Sequence, residues 1–197
     1  LQLKDKYGVY RGPSLPNNNY LRFWYEVNYS SISMDYKSGK KWVYCMRSGD
    51  KNLWYDYLKE IVDTKILTVS SNFKTHKSHG IVWPDARFGS KNISAKIKMS
   101  NIAYESGVNF ISSNSDESMF LLALFNTGFY EMMLENFVVG QHFSPIYIKS
   151  LPVVKIEKTI IEKTKTLLNY HEKLSLYEET NSNFVGLGNR YKKIKNM

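Results

Sequence analysis

The chain has 197 residues, of which 43% are hydrophobic and 23% are charged, and this composition supports a packed core and excludes a largely disordered chain. No apolar run approaches the roughly 20 residues of a membrane-spanning helix. The single cysteine, Cys45, excludes a disulfide framework and a multi-cysteine zinc site. The first six residues carry charges where a signal peptide would be apolar, so we expect a cytoplasmic protein without membrane contact.

Positive charge is concentrated in the first half of the chain. The net charge is +9, and residues 1–100 hold 17 basic and 8 acidic side chains, whereas residues 101–197 hold 10 of each. Tyr and Trp, which can stack on bases, are frequent in residues 1–60. This asymmetry indicates that one part of the molecule faces a polyanion, with DNA or RNA as the first partner to test. A basic surface without a nucleic-acid role is the alternative.

The first 113 residues have the pattern of short strands. Short aromatic runs lie between turn signals at 20–27 and 41–46. Strands are predicted from β-branched runs and period-two alternation at 66–70, 81–83, 93–97 and 108–111.

The pattern becomes helical after residue 113. Asn114 and Glu117 predict a capping box at a helix N-terminus, and the apolar run 119–125 predicts a helix buried on most sides. Residues 126–128 interrupt it, and a second helical face is predicted from 129 to 137. A last amphipathic helix of about 20 residues is predicted from a stripe with helical spacing, formed by Ile156, Ile160, Thr164, Leu167, His171 and Leu174.

These patterns predict an α+β fold: a twisted, mainly antiparallel sheet with flanking helices, followed by a helical half that ends in a long amphipathic helix. We divide the chain into a basic, β-rich part at 1–113, a helical part at 114–180 and a flexible basic tail at 181–197.

Catalytic chemistry is not apparent in the sequence. His76 and His79 are three residues apart, but no further Cys or His follows at zinc spacing. The glycines form neither a phosphate loop nor a dinucleotide turn. We therefore predict no catalytic residue, metal site or cofactor in this chain.

Six segments occur in an order that is typical of one family, at 18–27, 44–55, 80–96, 120–127, 143–153 and 177–184. The first, N-N-Y-L-R-F-W-Y-E-V, is similar to the family run G-D-N-x-F-x-R-x-W-W-E-V, and F-L-L-A-L-F-N-T is similar to Y-L-L-A-L-L-N-S. Together the segments resemble the target-recognition region of large adenine-N6 DNA methyltransferases, in particular the PglX enzymes of BREX phage defence and their restriction–modification relatives.

The sequence departs from this family in several places. Asn17-Asn18-Asn19 replaces a Gly-Asp turn, and Pro84 stands where the family has Ser. The catalytic Asn-Pro-Pro-Tyr motif is missing, because residues 144–147 read Ser-Pro-Ile-Tyr and lack the amide of the Asn.

The resemblance implies a sequence-specific DNA target-recognition module with a target-recognition-domain-like sheet and a spacer helix. It implies that the catalytic domain, which uses S-adenosylmethionine, lies N-terminal to this chain in the same polypeptide. The expected partners are double-stranded DNA and that methyltransferase domain, and the parent enzyme would be a site-specific adenine-N6 DNA methyltransferase.

Such a module grips phosphates and reads base edges through its loops. We expect those loops around 47–52, 74–79 and 85–98. The candidate DNA-contacting residues are Arg47, Lys51, Asn52, Lys74, His76, Lys77, Arg87, Lys91, Asn92 and Lys96.

Two other functions remain open from the sequence. A specificity subunit of a multi-chain restriction system shares the I-x-x-L-P ending that is followed by a long helix. A domain that binds another protein through the acidic residues 101–188 would need no DNA.

Overall fold

The computed structural model describes residues 1–14, 18–47, 54–67, 73–86, 93–136 and 142–184. These residues form two β-sheets, six α-helices and five 3₁₀ helices, so the predicted α+β class is confirmed. Most of the predicted basic tail, residues 185–197, lies outside the described residues. No helix in the described ranges is both long and apolar enough to cross a membrane.

The elements follow the chain in a mixed order. The strands are β1 (Gly8–Arg11), β2 (Leu21–Phe23), β3 (Ile32–Ser33), β4 (Trp42–Met46), β5 (Glu60–Asp63), β6 (Gly80–Pro84), β7 (Lys96–Lys98), β8 (Ala103–Tyr104) and β9 (Val108–Ser112). The helices are α1 (Leu3–Lys6), α2 (Thr64–Leu67), α3 (Ser115–Asn126), α4 (Phe129–Leu134), α5 (Pro145–Lys149) and α6 (Lys158–Ser175).

The first sheet is antiparallel and has the strand order β1-β9-β6-β7. The second sheet is mixed. Its path is β2-β5-β4-β3, with antiparallel β2–β5 and β5–β4 pairs and a parallel β3–β4 pair. Strand β8 also pairs with β4 in parallel, beyond the two residues that β3 occupies.

Period-two alternation places the two sheets against each other. In the first sheet, Ile81 and Ile111 pack with the helices, whereas their neighbours Val82 and Phe110 pack with Tyr44 of the second sheet. The first sheet is therefore buried on both faces, between a layer of helices and the second sheet.

Helix α3 begins at the predicted cap Asn114, but the carboxylate of Glu117 accepts the side-chain amide of Asn114 at 2.9 Å and not its backbone N–H, as a capping box would require. The side chain of Asn114 accepts a hydrogen bond from the backbone N–H of Glu117 at 2.9 Å, which satisfies one of the free amides of the first turn. Every residue from Ser118 to Asn126 is buried. The helix packs on both the first sheet and α6.

Helix α6 also forms, but its buried face differs from the predicted stripe. Ile161, Thr164 and Ser175 are buried, while the predicted Leu167 and Leu174 are 37% and 49% exposed. The reason is that α3 lies against the face that carries Ile161 and Thr164.

Two predicted strands differ from the structure, and the aromatic run at 20–27 is a strand over only three residues. Within 20–27, only β2 is a strand, because the carboxylate of Glu26 accepts the N–H of Phe23 at 2.7 Å and closes a turn. Of the predicted strand 66–70, residues 66 and 67 belong instead to α2, and residues 68–70 lie outside the described residues. Helix α2 starts where the carboxylate of Asp63 accepts the N–H of Lys65 at 3.0 Å. The predicted strand 93–97 begins only at Lys96.

Strand β7 starts three residues later than predicted because of one buried side chain, that of Asn126. The amide nitrogen of Asn126 donates to the carbonyl of Ala95 at 2.8 Å, and its oxygen accepts from the N–H of Ala95 at 2.7 Å. Just before β7, the backbone of Ala95 therefore bonds the side chain of Asn126 at the end of α3 and not a neighbouring strand.

We expect Asn126→Leu to lower the free energy of unfolding by about 1–3 kcal/mol, because the buried N–H of Ala95 loses its acceptor. The carbonyl of Ala95 loses one donor and keeps the N–H of Trp54 at 3.2 Å. Urea denaturation measures this loss. The matched control is Asn136→Leu at an exposed position, where a change below about 0.5 kcal/mol is expected. Equal losses in the two variants would contradict the role of Asn126.

His76 makes folding sensitive to acid. It is fully buried, with its ring edge-on to Tyr104 at a centroid distance of 5.0 Å. Burial, with a smaller contribution from Lys98, lowers the pKa of His76 from 6.5 to about 3. Between these values the unfolded chain binds a proton that the folded protein does not, so stability falls as the pH falls below 6.5.

His76→Gln is therefore expected to lose less stability than the wild type when the pH is lowered from 7 to 5. The difference between the two losses should be about 2 kcal/mol, since the other titrating groups are common to both proteins. Parallel curves of unfolding free energy against pH would show that His76 titrates normally in the folded state.

Candidate nucleic-acid interface

Two of the predicted DNA-contacting residues are held by carboxylates. The Nη1 of Arg47 lies 3.0 Å from the Oε1 of Glu60, and its Nε lies 3.5 Å from the Oε1 of Glu105. The Nζ of Lys96 lies 3.3 Å from the Oδ2 of Asp56, and the Lys96 side chain is only 7% exposed. A phosphate could bind either cation only by replacing a partner that is largely removed from water.

Three more predicted residues lie in the 3₁₀ helix Phe73–Lys77. His76 is buried as described above, whereas Lys77 is exposed. The backbone of Lys74 belongs to the same helix, but its side chain is not described. Among the described residues, no group of three His, Cys, Asp or Glu side chains could hold a metal ion.

The remaining five predicted contacts lie outside the described residues, and their roles stay predictions. They are Lys51, Asn52, Arg87, Lys91 and Asn92.

Exposed lysines gather at one end of the second sheet. We call this group the lysine edge; it consists of Lys37, Lys40, Lys41, Lys65 and Lys77. Only Lys77 belongs to the contacts predicted from the sequence.

Strand pairing brings three of these lysines together. The first residue of β4, Trp42, pairs with the last residue of β5, Asp63. Lys41, directly before β4, and Lys65, two residues after β5, therefore lie at the same end of the sheet. The link is reinforced by Thr64, whose N–H donates to the carbonyl of Lys41 at 2.9 Å. Its hydroxyl donates to the carbonyl of Lys40 at 3.1 Å.

Backbone hydrogen bonds connect the other two lysines through Asn101. The N–H of Tyr36, next to Lys37, donates to the carbonyl of Asn101 at 3.4 Å. The N–H of Asn101 donates to the carbonyl of His76, next to Lys77, at 3.0 Å. The 3₁₀ helices Tyr36–Ser38 and Phe73–Lys77, which carry Lys37 and Lys77, therefore lie on either side of Asn101.

A buried lysine fixes the 3₁₀ helix that carries Lys77. The ammonium group of Lys98, at the end of β7, donates to the carbonyls of His76 at 3.0 Å, Ser78 at 2.8 Å and Met99 at 3.2 Å. Lys98 is fully buried, and burial lowers its pKa from 10.5 to about 7. Its ammonium group thus bonds backbone carbonyls and is not accessible to solvent.

The lysine edge carries little compensating negative charge. Of the ion pairs within the described residues, none involves Lys37, Lys40, Lys41 or Lys77.

The two acidic residues at this end are engaged with the backbone. Asp63 is 9% exposed, and its carboxylate accepts the N–H of Lys65. The carboxylate of Asp35 accepts the N–H of Lys37 at 2.8 Å and an amide hydrogen of Asn101 at 3.3 Å. The ammonium groups of Lys37, Lys40 and Lys77 are therefore available to anions in solution. The ammonium group of Lys41 lies over the ring of Trp42, 5.0 Å from its centroid.

A local signal for this edge exists in the sequence. Residues 37–41 read Lys-Ser-Gly-Lys-Lys, with Gly39 in the left-handed conformation at φ 76°. A left-handed glycine between three lysines turns the chain at the surface directly before a buried strand. The sequence marks this turn, but the lysines beside it are not among the predicted contacts.

No protein-family model matches the sequence, and a search of curated proteins gives no significant match. The resemblance to methyltransferase recognition regions therefore depends on the six segments alone and stays a prediction.

Lys98→Met should loosen the 3₁₀ helix Phe73–Lys77, because three carbonyls lose a charged donor. The expected loss in unfolding free energy is about 1–3 kcal/mol. Hydrogen exchange at pH 6, where Lys98 is protonated, should be faster than in the wild type at the amides of Ser78 and Asn101, which donate into this segment. Lys173→Met, at an exposed position on α6, is the control and should leave exchange unchanged.

Unchanged protection of Ser78 and Asn101 in Lys98→Met would mean that Lys98 does not fix this segment.

Proposed function

We propose that the protein is the double-stranded DNA target-recognition module of an adenine-N6 DNA methyltransferase in phage defence or restriction–modification. In this proposal the catalytic domain and its S-adenosylmethionine lie N-terminal to this module in the same polypeptide. The observation that carries the DNA-binding part is the lysine edge; the methyltransferase part comes from the sequence resemblance.

The lysine edge has the properties that a phosphate-binding surface needs. Four of its lysines form no ion pair among the described residues, so binding a phosphate does not require a carboxylate to be displaced. Of these four, Lys41 has its ammonium group over the ring of Trp42. Lysines that neutralise phosphates release counterions, which favours binding at low salt and makes binding weaken as salt is added. Such contacts hold the protein on the duplex without selecting a sequence.

Sequence would be read by the predicted loop at 47–52, through Lys51 and Asn52, since Arg47 is held by Glu60 and Glu105. Its first residue, Arg47, follows β4, and Lys41 precedes the same strand at its other end. The five residues of β4 span about 13–16 Å, a length that corresponds to about four base-pair steps of duplex DNA. One duplex could therefore contact the lysine edge and the start of this loop together. Helix α6 would be the spacer between this module and the next part of the assembly.

A protein-interaction domain is the second candidate. Helix α6 has an exposed apolar stripe with helical spacing, formed by Leu167, Tyr170 and Leu174, which are 37%, 46% and 49% exposed. A stripe of this kind suits a partner helix. A specificity subunit would use both surfaces, because it binds DNA and pairs its spacer helices.

Replacing Lys37, Lys40 and Lys41 by Gln is expected to weaken binding to a short duplex. Three lost phosphate contacts should reduce the slope of log K against log salt by about 2–3. Fluorescence anisotropy at several salt concentrations measures both quantities. The matched control replaces three exposed lysines of α6 by Gln, with the same change in charge and little effect expected; these are Lys158, Lys163 and Lys173.

Equal effects of the two triple variants would mean that overall charge, and not the lysine edge, determines binding. Absent or salt-independent binding by the wild type would favour the protein-interaction domain.

A further inference from the structure

Three neighbouring aromatic side chains are exposed where β2 ends. Phe23, Tyr25 and Tyr29 are 39%, 54% and 61% exposed. We call these three residues the aromatic shelf. Large aromatic side chains usually bury most of their surface in the core or in an interface, so three exposed neighbours indicate a contact surface.

Two rings of the aromatic shelf lie parallel to each other. Phe23 and Tyr25 are stacked, with centroids 5.3 Å apart and only 3° between their planes. Trp24 packs edge-on against Tyr25 at 5.7 Å and against Tyr29 at 6.3 Å. The indole N–H of Trp24 donates to the carbonyl of Thr180 at 2.8 Å, so the ring between Tyr25 and Tyr29 is anchored to the segment after α6.

The backbone beneath the shelf is fixed by side-chain caps. The carboxylate of Glu26 accepts the N–H of Phe23 at 2.7 Å. The side-chain oxygen of Asn28 accepts the N–H of Ser30 at 3.0 Å and begins the 3₁₀ turn that carries Tyr29. Because the rings are positioned before a ligand arrives, little ordering accompanies binding.

Flat, exposed rings suit nucleobases, because each base offers a planar face that stacks on an aromatic side chain. The position of the shelf favours this partner over a protein. Phe23 pairs with Glu60 of β5, and Lys65 lies two residues beyond the other end of that strand. The three residue steps from Glu60 to Asp63 cover about 10 Å, and the two helical residues to Lys65 add about 3 Å, which together correspond to about four base-pair steps. DNA whose phosphates lie on the lysine edge would bring its bases within reach of the shelf.

We propose that the aromatic shelf stacks an unpaired base of DNA that is held on the lysine edge. The protein would then bind DNA that contains an unpaired base more tightly than fully paired DNA of the same length. This inference rests on the proposed DNA-binding function.

The test compares three probes by anisotropy at low salt: a paired duplex, the same duplex with one unpaired adenine, and a single strand. We expect the wild type to bind the unpaired-base duplex about tenfold more tightly than the paired duplex, as the loss of one aromatic stack implies. Tyr25→Leu keeps an apolar side chain but removes the ring, and should abolish this preference. Tyr25→Phe should keep it.

A matched control lies on α6. Tyr170 is 46% exposed, similar to Tyr25, but is remote in sequence from the shelf. Tyr170→Leu should retain the full preference. Because Tyr25 is half exposed, Tyr25→Leu should fold with the thermal midpoint of the wild type, and Tyr29→Leu provides a second variant with the same expected result.

Each other result has a definite meaning. Equal wild-type affinity for the paired and the unpaired-base duplex overturns the inference, and so does a preference that survives in Tyr25→Leu. If the paired duplex does not bind but the single strand binds through Tyr25, the stacking site stands and the duplex-recognition function falls. If no probe binds, both fall. If Tyr25→Leu alters only self-association in sedimentation, the shelf is a protein contact and the inference is wrong.

Discussion

The burial of the first sheet on both faces determines the arrangement of the whole molecule. Alternate residues of β6 and β9 pack against α3 on one side and against the second sheet on the other. A sheet in this position must satisfy its polar groups internally, since water reaches neither face. Asn126 and Lys98 do this at the two ends of β7, where they bond backbone groups that no strand pairs. The hydrogen bonds of Lys98 also position the 3₁₀ helix that carries Lys77.

The same constraint separates the basic residues of the first half into two groups. Arg47 and Lys96 lie close to the interior and pair with carboxylates, and there they contribute to the framework. The lysines of the lysine edge lie beyond the strand ends, where no layer covers them. The basic residues of the first half therefore have two different roles, and only those of the lysine edge are suited to phosphate binding. The aromatic residues divide similarly, since Trp83 is fully buried whereas the aromatic shelf is exposed.

Local patterns predict much of the fold and little of the candidate site. The strands at 80–84 and 108–112 and the cap of α3 at Asn114 follow from β-rich runs and capping residues within a few positions. The strand start at Lys96 could not be predicted, because it depends on Asn126, which is 31 residues away from Ala95. Likewise, the pairing of Lys96 with Asp56 spans 40 residues. Residue type shows which side chains can bind a phosphate, but only tertiary packing decides which of them are free to do so.

The central claim is that duplex DNA lies along the lysine edge, and lysine acetylation with mass spectrometry tests it most directly. The modification rate of each lysine is compared in the free protein and with saturating duplex. The account predicts strong protection of Lys37, Lys40, Lys41 and Lys77 by the duplex, with unchanged rates at Lys158, Lys163 and Lys173 on α6. Unchanged rates along the lysine edge, or protection confined to α6, would contradict it.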